Sequence, residues 1–161
     1  MAARIATIGV YGFDAEGFLD ALRGADVEVL VDVRQRRGVR GPEYSWANAQ
    51  RLQAALAGAG IGYQHRKDLA PTTAMRQAQY RADAEEGEGK RSRTHLADEY
   101  VRLYTEEILE PADLSSLAAL AGEALPALMC VERDAEACHR SLITARLERE
   151  FGLEPLHLRP G

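Results

Sequence analysis

A single α/β domain of three layers, built on a mostly parallel, Rossmann-like sheet, is the fold class this sequence predicts. Three observations lead there. Short apolar runs alternate with stretches of helical spacing. The connections between the runs are long enough for the crossovers that parallel strands require. The runs within 28–33 (EVLVDV) and 126–131 (PALMCV) are nearly continuously apolar, as in strands covered on both faces. At 161 residues the chain is of one-domain length, so residues 1–161 are taken as one unit.

Residues 4–10 (RIATIGV) read as the first strand. Asp14 is placed to cap a helix in which Phe18, Leu19 and Leu22 share a face until Gly24. Residues 28–33 form the clearest strand, followed by an arginine- and glycine-rich loop. A helix is predicted over 46–59, with Leu52, Ala55 and Leu56 inward and Gly60 as terminator, then a strand over 61–65. Residues 66–93 are polar, of mixed charge and weakly periodic. That length is unusual for a plain connection and predicts a mobile lid or insertion. Leu96, Tyr100, Leu103, Tyr104 and Ile108 then mark a helix whose apolar face is the expected surface of a homodimer. Leu114, Leu117 and Leu120 mark another helix, starting near Pro111. Residues 126–131 read as a buried strand, 135–151 as a helix stopped by Gly152, and 154–158 as a short last strand.

Composition narrows the function. A hydrophobic share of 46% and a charged share of 28% exclude disorder, collagen, a coiled-coil rod and a disulfide scaffold as whole-chain readings. Lys plus Arg number 20 and Asp plus Glu 25, a net charge of −5, which provides no global field for tight non-specific nucleic-acid binding. No run approaches the roughly 18 apolar residues of a membrane span, and the N-terminus lacks the apolar stretch of a secretion signal. A cytoplasmic protein without a membrane partner is expected. In that reducing setting Cys130 and Cys138 should be thiols rather than a structural bridge.

In open α/β sheets ligands gather at the carboxyl ends of the strands. Two such ends carry chemistry here. Asp32 and Arg34 lie two apart and share a side of an extended chain, and Cys130 and Glu132 do the same. If their strands are neighbours, both pairs meet in one cleft. Cys138, His139, Arg140 and Ser141 open the following helix, where free N–H groups and the dipole make an anion seat and push a thiol toward thiolate. Arg34, Arg36, Arg37 and Arg40 crowd seven residues of an otherwise acidic chain, and guanidinium forks suit phosphate. Arg66, Lys67, Arg76 and Arg81 extend that rim. Tyr11 and Tyr44 join the ligand-binding set, and Tyr44 or Trp46 is suited to stack on a base. Cys130, Cys138, His139, His65 and His157 are metal ligands in kind. They have no C-x-x-C or H-x-x-x-H spacing, and adjacent Cys138 and His139 splay apart on a helix, so no metal is expected. The P-loop, G-x-S-x-G and G-x-G-x-x-G patterns are absent, so no cofactor is expected either.

Taken together, Thr7-Ile8-Gly9, Leu30 to Arg34 (LVDVR), Gly60 to Tyr63 (GIGY) and Met129 to Ile143 (MCVERDAEACHRSLI) resemble the domain-of-unknown-function 488 family over essentially the whole chain. The resemblance implies an α/β fold and a shared site at Asp32, Arg34, Cys130, Glu132, Cys138, His139 and Arg140, with no established reaction. The chain departs from the family pattern at Val10-Tyr11, where members often have His-Ser, and at Ala70-Pro71, where they often have Gly-Gly.

These residues support three readings. The leading one is an enzyme of hydrolase or transferase class acting on a phosphate-bearing small molecule, a nucleotide or a nucleic-acid end. In it Asp32 and Glu132 act as acid and base, Cys130 or Cys138 as nucleophile, and Arg34, Arg37 and Arg140 hold the anion. The second is a non-catalytic nucleotide or nucleic-acid binding module. The third is a thiol redox or sulfur-transfer protein using both cysteines.

Overall fold

The computed structural model describes residues 3–89 and 92–161. Lys90 and Arg91 of the expected lid, and the first two residues of the N-terminal reading, lie outside the described residues. Five strands form one parallel sheet: β1 (Arg4–Gly9), β2 (Val29–Asp32), β3 (Gly62–His65), β4 (Pro126–Cys130) and β5 (Glu154–Leu158), in the order β3-β2-β4-β1-β5. The sheet with helices on both faces is the expected α/β fold.

Two helices cover one face, α1 (Ala15–Gly24) and α2 (Ala49–Gly58). Their Phe18, Leu22, Leu52 and Leu56 pack on Ile8, Leu30 and Met129. The other face is covered by α3 (Thr73–Glu85), α4 (Asp98–Tyr104), α5 (Ser115–Glu123) and α6 (Arg140–Phe151). There Met75, Tyr104, Leu117 and Leu147 pack on Ile5, Val31 and Leu128. Local chemistry sets the ends. Asp14 accepts the Gly17 N–H at 2.7 Å, Thr72 accepts the Met75 N–H at 3.2 Å, and Gly152 closes α6 in the left-handed region at φ 69°. Among the described residues no helix is long and apolar enough to cross a membrane.

Four segments differ from the sequence reading. The helix expected over 46–59 divides into a 3₁₀ turn, Pro42–Ala47, and α2; Trp46 sits in the turn and packs on Phe18 at 5.0 Å. Within 66–93 lies the 13-residue helix α3. Its buried face includes polar Gln79 and Asp83, which hides the apolar period. Both are satisfied: Gln79 donates to Asp83 and accepts from the Ala97 N–H, and Arg93 donates to Asp83. The helix expected over 96–108 is α4 followed by a π turn, Thr105–Leu109, which brings Leu109 into the core. Tyr100 and Tyr104, on the face assigned to a homodimer, are buried in this chain's own core. The helix expected over 135–151 breaks: a 3₁₀ turn, Ala135–Ala137, is followed by Cys138 in extended backbone, and α6 starts at Arg140.

The sheet order places the site. The chain leaves β2 through α2 toward β3 at one edge, and leaves β4 through α6 toward β5 at the other. Adjacent β2 and β4 are therefore the point where the connections diverge, and a crevice opens beyond their carboxyl ends.

One side-chain relay ties the strands on the other side of β4. Arg140 Nε donates to Thr7 Oγ1 at 3.2 Å. The same Thr7 hydroxyl lies 2.7 Å from His157 Nδ1, which brings β5 into the relay. Burial, aided by the Arg140 charge, lowers the His157 pKa from 6.5. The unfolded chain therefore takes up this proton first, and folding stability falls as pH drops below about 6.5. Above that pH the contribution is constant. Urea unfolding from pH 7.5 down to 5 is expected to show this slope, and His157→Gln is expected to flatten it.

Candidate functional site

The two strand ends that the sequence singles out are neighbours, with Asp32 in register with Met129. Their side chains nevertheless leave on opposite faces. Asp32 follows Leu30 and Met129 toward α1 and α2. Cys130 follows Val31, Val33 and Leu128 toward the other helices. Of the two pairs expected to meet in one cleft, Arg34, Cys130 and Glu132 line the cavity described below and Asp32 does not, because partners in register share a face and Cys130 is one residue out of register with Asp32.

On the first face Asp32 is fully buried and fully engaged. Its carboxylate accepts from Arg34 Nε at 2.9 Å, Arg34 Nη2 at 2.8 Å, the Arg34 N–H at 3.1 Å and the Tyr63 hydroxyl at 2.6 Å. Arg34 also donates to the Ala47 carbonyl at 2.9 Å. The pair is a bidentate fork that folds the arginine loop back on β2. Burial raises the Tyr63 pKa, so its hydroxyl stays a donor. Asp32 is not placed to pass a proton to a ligand: its oxygens hold Arg34 and Tyr63, and it does not line the cavity described below.

On the second face Arg140 is wholly buried. It donates to Thr7 Oγ1, to Cys130 Sγ at 2.9 Å, and to the carbonyls of Glu132 at 2.7 Å and Arg133 at 2.9 Å. Burial lowers its pKa to about 10, so it stays charged at neutral pH. The expected seat for an anion at Arg140 and Ser141 is thus filled by the protein's own atoms, and the Ser141 hydroxyl donates to the Cys138 carbonyl. Glu132 takes its charge partner from elsewhere: Arg93 donates to it at 2.6 Å, to Asp83 at 2.8 Å and to the Ala137 carbonyl. A carboxylate just past a buried strand signals the need for a partner. Nothing in the local sequence points to an arginine 39 residues away.

The two cysteine sulfurs are joined as a disulfide, which corrects the expectation of separate thiols. The reading from compartment left out the chain path: after β4 the backbone reverses through the 135–137 turn and returns Cys138 over Cys130. His139 Nε2 lies 2.8 Å from the Val33 carbonyl and donates to it, and Nδ1 lies 3.5 Å from Cys138 Sγ. Because Cys138 is extended and His139 is the cap of α6, they do not splay apart as on a helix. Both sulfurs and a ring nitrogen of His139 lie within 4.8 Å of one another. With the sulfurs bonded to each other, these atoms are not a thiolate ligand set. His65 and His157 are held elsewhere, near the Arg34 carbonyl and Thr7.

Beyond the strand ends lies a cavity of about 1210 Å³. Cys130, Glu132, Cys138 and His139 form part of its wall, together with Arg34, Arg36, Arg40 and Tyr11 from the loops after β2 and β1. Arg76, Tyr80, Arg93 and Tyr100 contribute from the far side; of these the sequence assigns only Arg76 to the rim, and Tyr100 to a helix face. Among the described residues five arginines and one carboxylate, Glu132, line the cavity. Arg34 and Arg93 are in ion pairs, whereas among the described residues Arg76 donates to neutral groups, Gln35 Oε1 at 3.0 Å and the Tyr80 hydroxyl at 3.1 Å. Arg36 is exposed. Arg37 turns away to the Tyr63 hydroxyl at 3.4 Å, and Arg66 pairs with Asp68. Tyr44 accepts from the Gly12 N–H and packs its ring 5.3 Å from that of Tyr11. Both departures from the family pattern fall on the rim, where Tyr11 and Pro71 line the cavity.

The fold and the site define an α/β domain with a cavity at the divergence of its central strands. The chain belongs to the family described as domain of unknown function DUF488, whose model matches residues 14–147. No curated protein and no solved structure matches it.

Proposed function

We propose that the cavity binds a phosphate-bearing small molecule, a nucleotide being the form that suits it best. The observation that carries this reading is the wall of five arginines facing one carboxylate in a protein of net charge −5. Arg76 matters most. It forms no ion pair among the described residues, is half-buried, and is held in place by Gln35 and Tyr80. A guanidinium pre-positioned in a concave site is suited to bidentate phosphate recognition. Tyr80 is 37% exposed, lies under the Arg76 guanidinium at 5.8 Å, and offers a ring face on which a base can stack. The volume is ample, since ligand pockets usually span about 300–1,000 Å³.

The carboxylates do not support acid–base roles for Asp32 and Glu132, because both are tied to guanidinium groups. The reactive chemistry left beside the cavity is that of the cysteines and His139. Any enzymatic step on the bound anion is read as resting on them.

Calorimetric titration with AMP, ADP, ATP and inorganic pyrophosphate tests the binding. Saturable binding is expected, and Arg76→Ala is expected to weaken it about ten-fold or more, the worth of a charge-assisted hydrogen bond. A single-stranded oligonucleotide that binds tightly with a steep salt dependence, while the nucleotides do not, would favour a nucleic-acid interface instead.

A further inference from the structure

We propose that Cys130 and Cys138 are a reversible dithiol–disulfide couple that exchanges with small disulfides entering the cavity. This goes beyond anion binding and does not depend on it. Four observations carry the inference. The two sulfurs are joined, and both residues line the cavity although each is only 1% exposed. The bond thus lies in the cavity wall beneath a thin cover of side chains, and a small disulfide reaches it when that cover parts. His139 Nδ1 lies 3.5 Å from Cys138 Sγ, held there by the Nε2 contact to the Val33 carbonyl. Arg140 donates to Cys130 Sγ, which favours a thiolate there. Glu132 Oε2, 3.4 Å from that sulfur, opposes a thiolate, and Arg93 offsets its charge. Finally, Cys138 lies in extended backbone between a 3₁₀ turn and α6, so no regular element has to break for the sulfurs to part.

The reaction balances without a bound cofactor. In the reduced protein Cys138 gives its proton to His139 Nδ1, and its thiolate attacks one sulfur of a small disulfide. That S–S bond breaks, a mixed disulfide forms on Cys138, and the leaving thiolate takes a proton from His139. The Cys130 thiolate then attacks Cys138 Sγ. The second small thiolate leaves and takes up the proton released by Cys130. The protein loses two electrons and the small disulfide gains them as two thiols. The arginine wall selects an anionic disulfide over a cationic one, and that preference alone rests on the anion-binding reading.

The test equilibrates the native protein in reduced and oxidised glutathione at graded ratios, quenches with an alkylating reagent and weighs the products. The expected result is one transition in which both cysteines change together, with the circular dichroism unchanged. Cys130→Ser is expected to trap one glutathione on Cys138, while Cys138→Ser traps at least ten-fold less. A bond that resists reduction until the protein unfolds would overturn the proposal, as would two permanent thiols holding a co-purified metal. The wild-type titration decides the matter even if a variant fails to fold. Oxidised glutathione is expected to react faster than cationic cystamine. Equal rates with intact exchange would contradict the anion-binding reading and leave this one standing.

Discussion

Gly9→Ala is expected to unfold the protein or to lower its stability by about 4 kcal/mol or more. Gly9 ends β1 in register with Cys130, and a Cβ there would sit 1.7 Å from the Glu132 carbonyl oxygen and 2.8 Å from Arg140 Nη1. The first is a backbone atom with nowhere to go, because its carbonyl accepts from Arg140 and the adjacent Val131 carbonyl accepts the N–H groups of Val10 and Tyr11. Overpacking alone costs about 1–3 kcal/mol, and losing a charge-assisted hydrogen bond adds about 1.5–3 kcal/mol. Against a typical domain stability of about 5–15 kcal/mol this is severe. Gly24→Ala is the control: nothing lies within 4 Å of its Cβ, so the variant should match or slightly exceed the parent. Urea midpoints of the three proteins check the ordering.

Arg140→Met is expected to cost about 3–5 kcal/mol even though methionine fills much of the volume. The guanidinium is buried at a real cost, seen in its pKa lowered to about 10, and four acceptors hold it: Thr7, Cys130 and the carbonyls of Glu132 and Arg133. Removing it leaves the buried Thr7, Cys130 and Glu132 groups short of a donor, at about 1–3 kcal/mol each before the surroundings relax. It also frees the loop that carries Glu132. Denaturant unfolding should show the loss. Arg140→Lys should recover only part of it, since one ammonium cannot span β1, β4 and the loop after β4. A gain in stability would mean that the buried charge is a liability rather than the tie between these strands.

The strand ends were legible because both central strands are continuously apolar and then stop at charged residues, 31–34 and 130–132. The crowd of arginines after β2 was legible from its contrast with an acidic chain. The face on which each side chain emerges was not, since it depends on the register between β2 and β4, and one residue of offset separates Asp32 from Cys130. Helix α3 was missed because its inward face carries Gln79 and Asp83, whose polar groups are satisfied by Ala97 and Arg93 further along the chain. The pairing of Glu132 with Arg93 and the joining of Cys130 to Cys138 were hidden for a related reason. Both depend on chain reversals, and neither leaves a mark in local spacing.

The central claim is that the arginine-lined hollow beyond β2 and β4 takes phosphate-bearing molecules. The calorimetric comparison of the parent and Arg76→Ala with ADP tests it most directly. The account requires saturable binding by the folded parent and about a ten-fold or greater loss in the variant, whose circular dichroism stays the same. Absence of heat across the nucleotides and pyrophosphate, or equal affinity in both proteins, would contradict it.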